Sequence, residues 1–173
     1  PYVDKVIENK SKEKIIDVGS GRGEWLELLK GNGYQSIGVD INAAMIDFCN
    51  KEDINVIKSD AIEYLRLQQK NSISVISGFH IVEHLSLNVL IQLFDESFHA
   101  LKSGGMIIFE TPNPESIMVS SHAFYFDPSH NNPITPQTLQ FIAEERGFIN
   151  VDIHRLHPWK KFEKTGQDQT PFL

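Results

Sequence analysis

A short apolar strand that runs directly into closely spaced glycines is the feature that most constrains this chain. Residues 14–18 are rich in β-branched side chains, glycines follow at positions 19, 21 and 23, and an amphipathic stretch occupies 24–30. Glycine has no Cβ and lets a backbone turn approach a ligand closely. The free amides at a helix start suit an anion. The pattern predicts a strand–turn–helix unit that holds a ligand at the turn.

The spacing of the glycines separates two classes of ligand. A dinucleotide-binding turn has Gly-x-Gly-x-x-Gly, whereas here the third glycine comes one residue early and Glu24 occupies the expected place. A glutamate beside a pyrophosphate would be repelled. The pattern Asp-x-Gly-x-Gly-x-Gly resembles instead the first motif of class I S-adenosylmethionine (SAM) methyltransferases. The resemblance implies cofactor contacts from Asp17, Gly19, Ser20, Gly21, Arg22 and Gly23.

Composition excludes several other classes of protein. The chain has 173 residues, which predicts one domain, and its net charge of −7 argues against general affinity for nucleic acid or anionic membranes. The single cysteine, Cys49, excludes an intramolecular disulfide and a cysteine-rich metal site. No apolar run reaches the roughly 18 residues of a membrane span. We expect a cytoplasmic protein, and the start at Pro1 rather than Met leads us to expect part of a larger multidomain chain.

Strands and helices alternate along the chain. Short runs rich in Ile and Val, several of them continuously apolar, predict strands over 14–18, 36–40, 55–58, 73–78, 106–111 and 149–156. Helical periodicity predicts helices over 3–9, 24–32, 43–51, 61–69, 87–102 and 136–146. Ser86 and Thr135 are the expected N-caps of the last two helices, and Gly104 is expected to end the first of these. The alternation predicts an α/β fold with a Rossmann-like, doubly wound, mostly parallel sheet.

Two stretches depart from that scheme. The methyltransferase fold normally ends with an antiparallel strand beside its sixth strand, but no such strand follows Leu156. We therefore expect the final antiparallel strand to be missing, with the methyltransferase domain over 1–157 and a tail or linker over 158–173. The connection over 112–135 has four prolines and little periodicity, and long connections of this kind in compact domains are usually functional or disordered.

The resemblance extends to the residues after the second and third strands. Asp40 matches the family's acidic residue that accepts hydrogen bonds from both ribose hydroxyls, a task that suits an acceptor-only carboxylate. Ile41 beside it either packs on the adenine or is an ordinary core residue. Asp60 and Ala61 match the pair that contacts the adenine amino group and ring. Asp60 can also be the N-cap of the following helix.

The stretch after the fourth strand carries a third part of the resemblance. Residues 79–85 read Phe-His-Ile-Val-Glu-His-Leu and are similar to the form common in small-molecule and glycan methyltransferases, in which the backbone near Phe79 and His80 flanks the methyl group. The same letters contain His-x-x-Glu-His, an inverted zinc-protease motif. That motif needs both histidines on one helical face, whereas His80 ends an apolar strand. We therefore do not expect zinc proteolysis.

The long connection is the expected acceptor-binding segment. Its phrase Phe-Asp-Pro-Ser-His resembles methyltransferases encoded with bacterial polysaccharide genes. The resemblance implies substrate contacts from Phe124, Tyr125, Asp127 and Asn132, since aromatic faces stack on sugar C–H surfaces and polar groups bind hydroxyls. The alternative is that the aromatic residues only cover the core.

A hydroxyl acceptor also needs a base. Histidine titrates near neutrality and is the usual choice, and His84 and His130 are the two candidates, left unranked. Asp127, Glu83 and Glu110 offer oxygen ligands for magnesium, but no spacing supports a site, so we expect no metal.

These observations predict a SAM-dependent methyltransferase, an O-methyltransferase acting on a sugar or polysaccharide end, with a small molecule or glycan as its partner. A nicotinamide-dependent oxidoreductase would share the fold and Asp40, but the glycine spacing and the Asp60–Ala61 pair count against it. A non-catalytic SAM-fold module of a larger protein is the other alternative.

Overall fold

The computed structural model describes residues 14–156, in which five strands form one sheet with helices on both faces. The strands are β1 (Ile15–Val18), β2 (Ser36–Asp40), β3 (Val56–Lys58), β4 (Ile73–Phe79) and β5 (Leu101–Glu110). The helices are α1 (Glu24–Gly31), α2 (Ala43–Lys51), α3 (Ala61–Arg66), α4 (Leu87–Ala100), α5 (Ile117–Ser121) and α6 (Pro136–Glu145). Within this part of the chain no helix has the length and apolarity needed to cross a membrane.

All strand pairings are parallel, in the order β3-β2-β1-β4-β5. The central strand β1 pairs with β2 on one side and β4 on the other, so that Asp17 lies between Gly38 and Ser77. This arrangement confirms the predicted doubly wound α/β fold of the class I methyltransferase type. It also places the residues that end β1, β2 and β4 at one edge of the sheet, where parallel α/β proteins form their ligand crevice.

Both faces of the sheet are covered, as the continuously apolar strands predicted. On one face Ile15 and Val75 pack with Leu29 of α1. On the other face Ile16 and Ile76 pack with residues of α3 and α4. Neighbouring positions of one strand point to opposite faces, and here both faces are buried. The sheet therefore forms the rigid layer on which the crevice is built.

Side-chain caps begin the helices around the crevice. The side chain of Ser86 accepts a hydrogen bond from the Val89 amide, and that of Thr135 accepts one from the Thr138 amide. Both predicted N-caps are confirmed. The role expected of Gly104 was wrong, because α4 ends at Ala100 and Gly104, with φ +77°, lies inside the irregular start of β5.

The predicted sixth strand is absent from the described residues. No strand forms over 149–156, and Ile149 is 82% exposed. A strand needs a neighbouring backbone to complete its hydrogen bonds, and within 14–156 β5 is the last strand on this side of the sheet. The apolar run over 149–156 therefore has neither strand hydrogen bonds nor full burial. The predicted helix over 3–9 and the tail over 158–173 lie outside the described residues, and the domain boundary at 157 stays a prediction.

The long connection is more ordered than its composition suggested. It contains α5 and a 3-10 turn over Ala123–Phe126. A second 3-10 turn, Val82–His84, follows β4. Backbone and side-chain hydrogen bonds hold these two regions together, as described below.

Candidate active site

The crevice at the carboxyl ends of β1, β2 and β4 is lined by three loops. The glycine loop over 19–23 follows β1, the turn over 80–85 follows β4, and the segment over 122–132 belongs to the long connection. The first carries five of the predicted cofactor residues, the second carries His80 and the predicted base His84, and the third carries the predicted base His130. The fold thus assembles in one place residues that are far apart in sequence.

The glycine loop takes a left-handed backbone at each glycine, with φ values of +68°, +54° and +79°. A Cβ on Gly19 would lie 2.9 Å from Ile81, whereas a Cβ on Gly21 would meet no heavy atom within 4 Å. The loop amides of Gly19, Gly21 and Gly23 donate within the protein, to the Val39 carbonyl, the Asp40 carboxylate and the Ser20 carbonyl. These three glycine amides are therefore already bonded within the protein, whereas the start of α1, where free amides were expected, has no side-chain cap. The loop offers a ligand open space above Gly21 rather than a set of donors.

Asp40 anchors the glycine loop. One carboxylate oxygen accepts the Gly21 amide at 2.8 Å and the other accepts the Asn42 amide at 2.7 Å. Each oxygen of a carboxylate can accept a second hydrogen bond, so the group is fixed in place and still has capacity for two hydroxyl groups. Ile41 beside it is 69% exposed. The core alternative for Ile41 is wrong, and its apolar surface is available to a ring.

Asp17 is buried behind the loop and does not reach solvent. Its carboxyl accepts a 2.7 Å hydrogen bond from the Ser77 hydroxyl, which in turn accepts one at 3.0 Å from the Trp25 indole. Burial raises the pKa of Asp17 from 3.8 to about 7, with a smaller increase from the charge of Asp40, while the bond from Ser77 opposes the shift. Trp25 also packs against Phe79, with ring centroids 5.2 Å apart. The Asp17 side chain therefore does not reach the surface of the crevice.

Other predicted cofactor residues have structural partners. The Asp60 side chain caps α3, accepting the Ile62 and Glu63 amides through one oxygen. Its other oxygen has no hydrogen bond within 14–156. Ala61 packs against the core. The Arg22 guanidinium lies 4.7 Å from the Phe48 ring centroid, on the surface. The Ser20 hydroxyl is buried and without a hydrogen-bond partner in the described part of the chain.

The turn after β4 is built around a buried carboxylate. Glu83 is fully buried, and its oxygens lie 3.2 Å from His80 Nδ1 and 3.0 Å from the Thr111 hydroxyl. Burial raises the pKa of Glu83, but the hydrogen bonds from His80, the backbone and Thr111 outweigh it and leave the pKa lowered. The bond to Glu83 likewise raises the pKa of His80. His80 takes a left-handed φ of +54°, at the end of β4. The His-x-x-Glu-His letters therefore do not lie on one helix, and the zinc-protease arrangement is excluded.

The two predicted bases are brought together. The rings of His84 and His130 pack edge to face with centroids 4.8 Å apart. His84 Nδ1 lies 3.1 Å from the Ser129 carbonyl, and His130 Nδ1 lies 2.7 Å from the Phe124 carbonyl. A carbonyl can only accept, so each Nδ1 is the donor, and in the neutral imidazole each Nε2 carries the lone pair.

The four predicted substrate residues have different environments. Phe124 is buried, with 2% of its surface exposed, so it covers the core rather than facing an acceptor. Tyr125 is 65% exposed. Asp127 accepts hydrogen bonds from the amide and hydroxyl of Ser129, which lower its pKa. Asn132 donates to the Leu85 carbonyl at 3.4 Å. Only Tyr125 presents most of its side chain to solvent without a structural hydrogen bond of its own.

Sequence reasoning missed four residues that position the site. Ser77 donates to Asp17 and accepts from Trp25, Thr111 donates to Glu83, and the Asn131 side chain donates to the His84 carbonyl at 2.6 Å. The register of a parallel sheet could have shown Ser77, which pairs with Asp17. Nothing local marks the other three, because their partners are distant in sequence.

Comparison with known proteins identifies the family. The family model described as "Methyltransferase domain" matches residues 2–153. A SAM-dependent methyltransferase of Archaeoglobus fulgidus is 42% identical, with a TM-score of 0.79 over 86% of this chain and 67% of that one. A comparison with curated proteins found no match.

Two more distant structures share the fold. The geranyl diphosphate C-methyltransferase of Streptomyces coelicolor is 20% identical, with a TM-score of 0.61 over 78% of this chain and 53% of that one. The phosphoethanolamine N-methyltransferase 2 of Haemonchus contortus is 22% identical, with a TM-score of 0.62 over 83% of this chain and 35% of that one. Their acceptors differ, so the fold leaves the acceptor open. The family model and the 42% identical relative show that the chain belongs to the methyltransferase domain family, with S-adenosylmethionine as methyl donor.

Proposed function

We propose that this domain transfers a methyl group from SAM to a hydroxyl of a sugar or a polysaccharide end. The observation that carries the proposal is the pair of Nε2 atoms on His84 and His130, whose Nδ1 atoms both donate to backbone carbonyls. A hydroxyl must lose its proton when it is methylated, and a neutral imidazole held in one tautomer is suited to accept it.

The residues around the crevice fit the cofactor. Asp40 would bind the ribose hydroxyls through its remaining lone pairs, and the exposed Ile41 would pack on the adenine. The open space above Gly21 would receive the remaining part of SAM. When bound, SAM supplies a methyl group that is already activated on a sulfonium. The protein therefore contributes mainly orientation and electrostatic stabilisation.

The chain's own groups then act on the acceptor. Tyr125, 65% exposed, offers a ring face for the sugar. Either His84 or His130 accepts the hydroxyl proton at Nε2 as the oxygen–methyl bond forms. The Ser129 hydroxyl lies 3.1 Å from His84 Nδ1 and donates to Asp127, which orients the His84 ring. This link between Asp127 and a candidate base supports a role for Asp127 in positioning rather than in direct contact.

The family assignment decides against the nicotinamide oxidoreductase. The non-catalytic module remains the competing hypothesis, because a SAM fold can be kept without turnover. The competing acceptors are amine and carbon nucleophiles, since N- and C-methyltransferases share the fold.

The test has two stages on the full chain. Calorimetric titration with SAM and with S-adenosylhomocysteine measures cofactor binding, and transfer of a labelled methyl group to a panel of sugars, amines and terpenoid diphosphates measures turnover. Binding with label on a sugar oxygen supports the proposal. Label on an amine or carbon acceptor alone would contradict the acceptor, and binding without any turnover would favour the non-catalytic module.

A further inference from the structure

Three electron-pair donors meet at one point beside the proposed acceptor site. Glu83, His84 and His130 each offer a ligand atom, and these atoms all lie within 4.8 Å of one another. The carboxylate oxygen of Glu83 lies 3.9 Å from Nε2 of His130. Glu83 is fully buried and the His130 side chain is only 13% exposed. The carboxylate therefore lies inside the protein, and both imidazoles are half-buried beside it.

Neither His84 nor His130 directs its Nδ1–H at this point, and the hydrogen bond that reaches the same Glu83 oxygen comes from His80 Nδ1, at 3.2 Å. Each Nδ1 faces a backbone carbonyl and must donate to it. In the neutral imidazole of His130 the lone pair on Nε2 then faces a carboxylate oxygen, so two acceptors lie 3.9 Å apart. Two acceptors with no hydrogen between them repel, and a bound cation converts that repulsion into attraction.

The surrounding contacts have the form that metal sites take. Metal-binding histidines usually donate their other ring nitrogen to a carbonyl or carboxylate, which fixes the tautomer. Here both imidazoles do so, and Thr111 holds the second oxygen of Glu83 at 3.0 Å. The Asn131 amide donates to the Glu83 carbonyl at 2.8 Å, and its side chain donates to the His84 carbonyl at 2.6 Å. The two loops are thus already joined at the positions from which the donors project.

We propose that Glu83, His84 and His130 bind one divalent transition-metal ion of the Zn²⁺, Co²⁺ and Mn²⁺ class. Two imidazoles and one carboxylate favour these ions over Mg²⁺ or Ca²⁺, which prefer oxygen ligands. A tetrahedral zinc ion bonded at about 2.0–2.2 Å keeps its ligands roughly 3.4 Å apart. The donors would therefore move together by about 1 Å on binding, which rotation of the side chains can supply. Spacing alone gave no reason to expect a metal, because His130 is remote in sequence from the other two.

The proposed metal site is separate from the proposed methyl transfer but could contribute to it. Three protein ligands leave a coordination position open, as in catalytic metal sites. An acceptor hydroxyl bound there would lose its proton more readily, and this role alone rests on the proposed sugar acceptor. With the ion bound, the imidazoles serve as ligands rather than as the base. Metal binding itself needs neither SAM nor acceptor.

The experiment measures binding without catalysis. The full chain is treated with a chelator, dialysed and titrated with Co²⁺ alone, which reports its coordination through visible absorption, and Zn²⁺ is then added as competitor. We expect one Co²⁺ per chain, displaced by Zn²⁺. The variants His130→Ala and Glu83→Gln should each weaken binding by at least about tenfold. The exposed His99→Ala, at the end of α4, is the matched control and should leave binding unchanged.

Each outcome decides the proposal. Absence of Co²⁺ uptake, or uptake that His130→Ala leaves unchanged, would overturn it. Thermal unfolding of each variant shows whether it is folded, and if Glu83→Gln is not, His84→Ala and His130→Ala carry the test. Metal binding without sugar methylation would contradict the proposed acceptor only, whereas sugar methylation undiminished by chelation would contradict the catalytic role of the ion only.

Discussion

The Ser77 hydroxyl on β4 donates a 2.7 Å hydrogen bond to the buried carboxyl of Asp17 on β1. The two residues are direct register partners in adjacent parallel strands. Their contact joins the strand that precedes the glycine loop to the strand that precedes the Glu83 turn. It therefore fixes the two sides of the crevice relative to each other, and it leaves an acidic group in a site where its charge is poorly solvated.

The first prediction concerns the pH dependence of stability. The pKa of Asp17 rises from 3.8 to about 7 in the folded chain, so between these values the folded state binds a proton that the unfolded state releases. The contribution of Asp17 to the free energy of unfolding therefore falls as pH rises through this window and levels off above it. Asp17→Asn, which has no charge to desolvate, should be more stable than the parent chain at pH 8 by about 2–4 kcal/mol.

Denaturant unfolding at several pH values measures this difference, which should shrink as pH falls towards 4. Asp47→Asn, on the exposed side of α2, is the matched control and should show no such trend. A variant that is equally or less stable at pH 8 would show that the carboxyl is ionised and favourably paired.

The second prediction concerns cofactor affinity. Asp40→Ala removes the acceptors proposed for the ribose hydroxyls and also releases the Gly21 amide. SAM binding by calorimetry should be lost. An affinity within about twofold of the parent value, which corresponds to less than ~0.5 kcal/mol, would show that the ribose assignment is wrong.

The third prediction concerns Gly21. It separates the space that this glycine leaves for a ligand from the stability cost of its left-handed backbone. Gly21 and Gly33 both have positive φ, and a Cβ on either would meet no protein atom within 4 Å. Alanine at each position should cost about 1–2 kcal/mol of stability because of the left-handed backbone. Only Gly21→Ala should also weaken SAM binding, since its Cβ would occupy space proposed for the ligand. Equal SAM affinities in the two variants would show that the glycine loop does not contact the cofactor.

The fourth prediction concerns the two histidines. His84→Ala and His130→Ala should each remove turnover, by about 10²–10⁴-fold for loss of a general base, while SAM still binds. Labelled methyl transfer and calorimetry on the same preparations provide the two readouts. Full activity in both variants would contradict any role of these imidazoles in catalysis, whether as base or as ligand.

The fifth prediction distinguishes a core aromatic residue from an acceptor-binding one. Phe124→Ala empties a buried site and should destabilise the fold by about 3–5 kcal/mol. Tyr125→Ala removes an exposed ring and should change stability by less than about 0.5 kcal/mol. If Tyr125 contacts the sugar, its variant should raise KM for the acceptor with little change in SAM affinity. An unchanged KM would assign the acceptor surface to other residues.

Much of the fold could be predicted because its signals are local. The bounds of β2 and α2 were predicted without error, and the caps at Ser86 and Thr135 follow from residue type and position. The run over 149–156 shows the limit of that approach. Its composition suits a strand, but a strand also requires a partner strand, which no local pattern contains.

The candidate site also combines features that local sequence signals predict with features that depend on distant contacts. The sequence by itself determined the parallel α/β sheet, the glycine loop and the position of Asp40, because strand–helix alternation and glycine spacing act over a few residues. Only the tertiary structure decided that the loop amides are already bonded, that Phe124 is buried, and that His130 lies 3.9 Å from Glu83. Those relationships depend on how the long connection packs against the turn after β4. Packing of that kind is set by contacts between residues that are distant along the chain, which is why no motif recorded it.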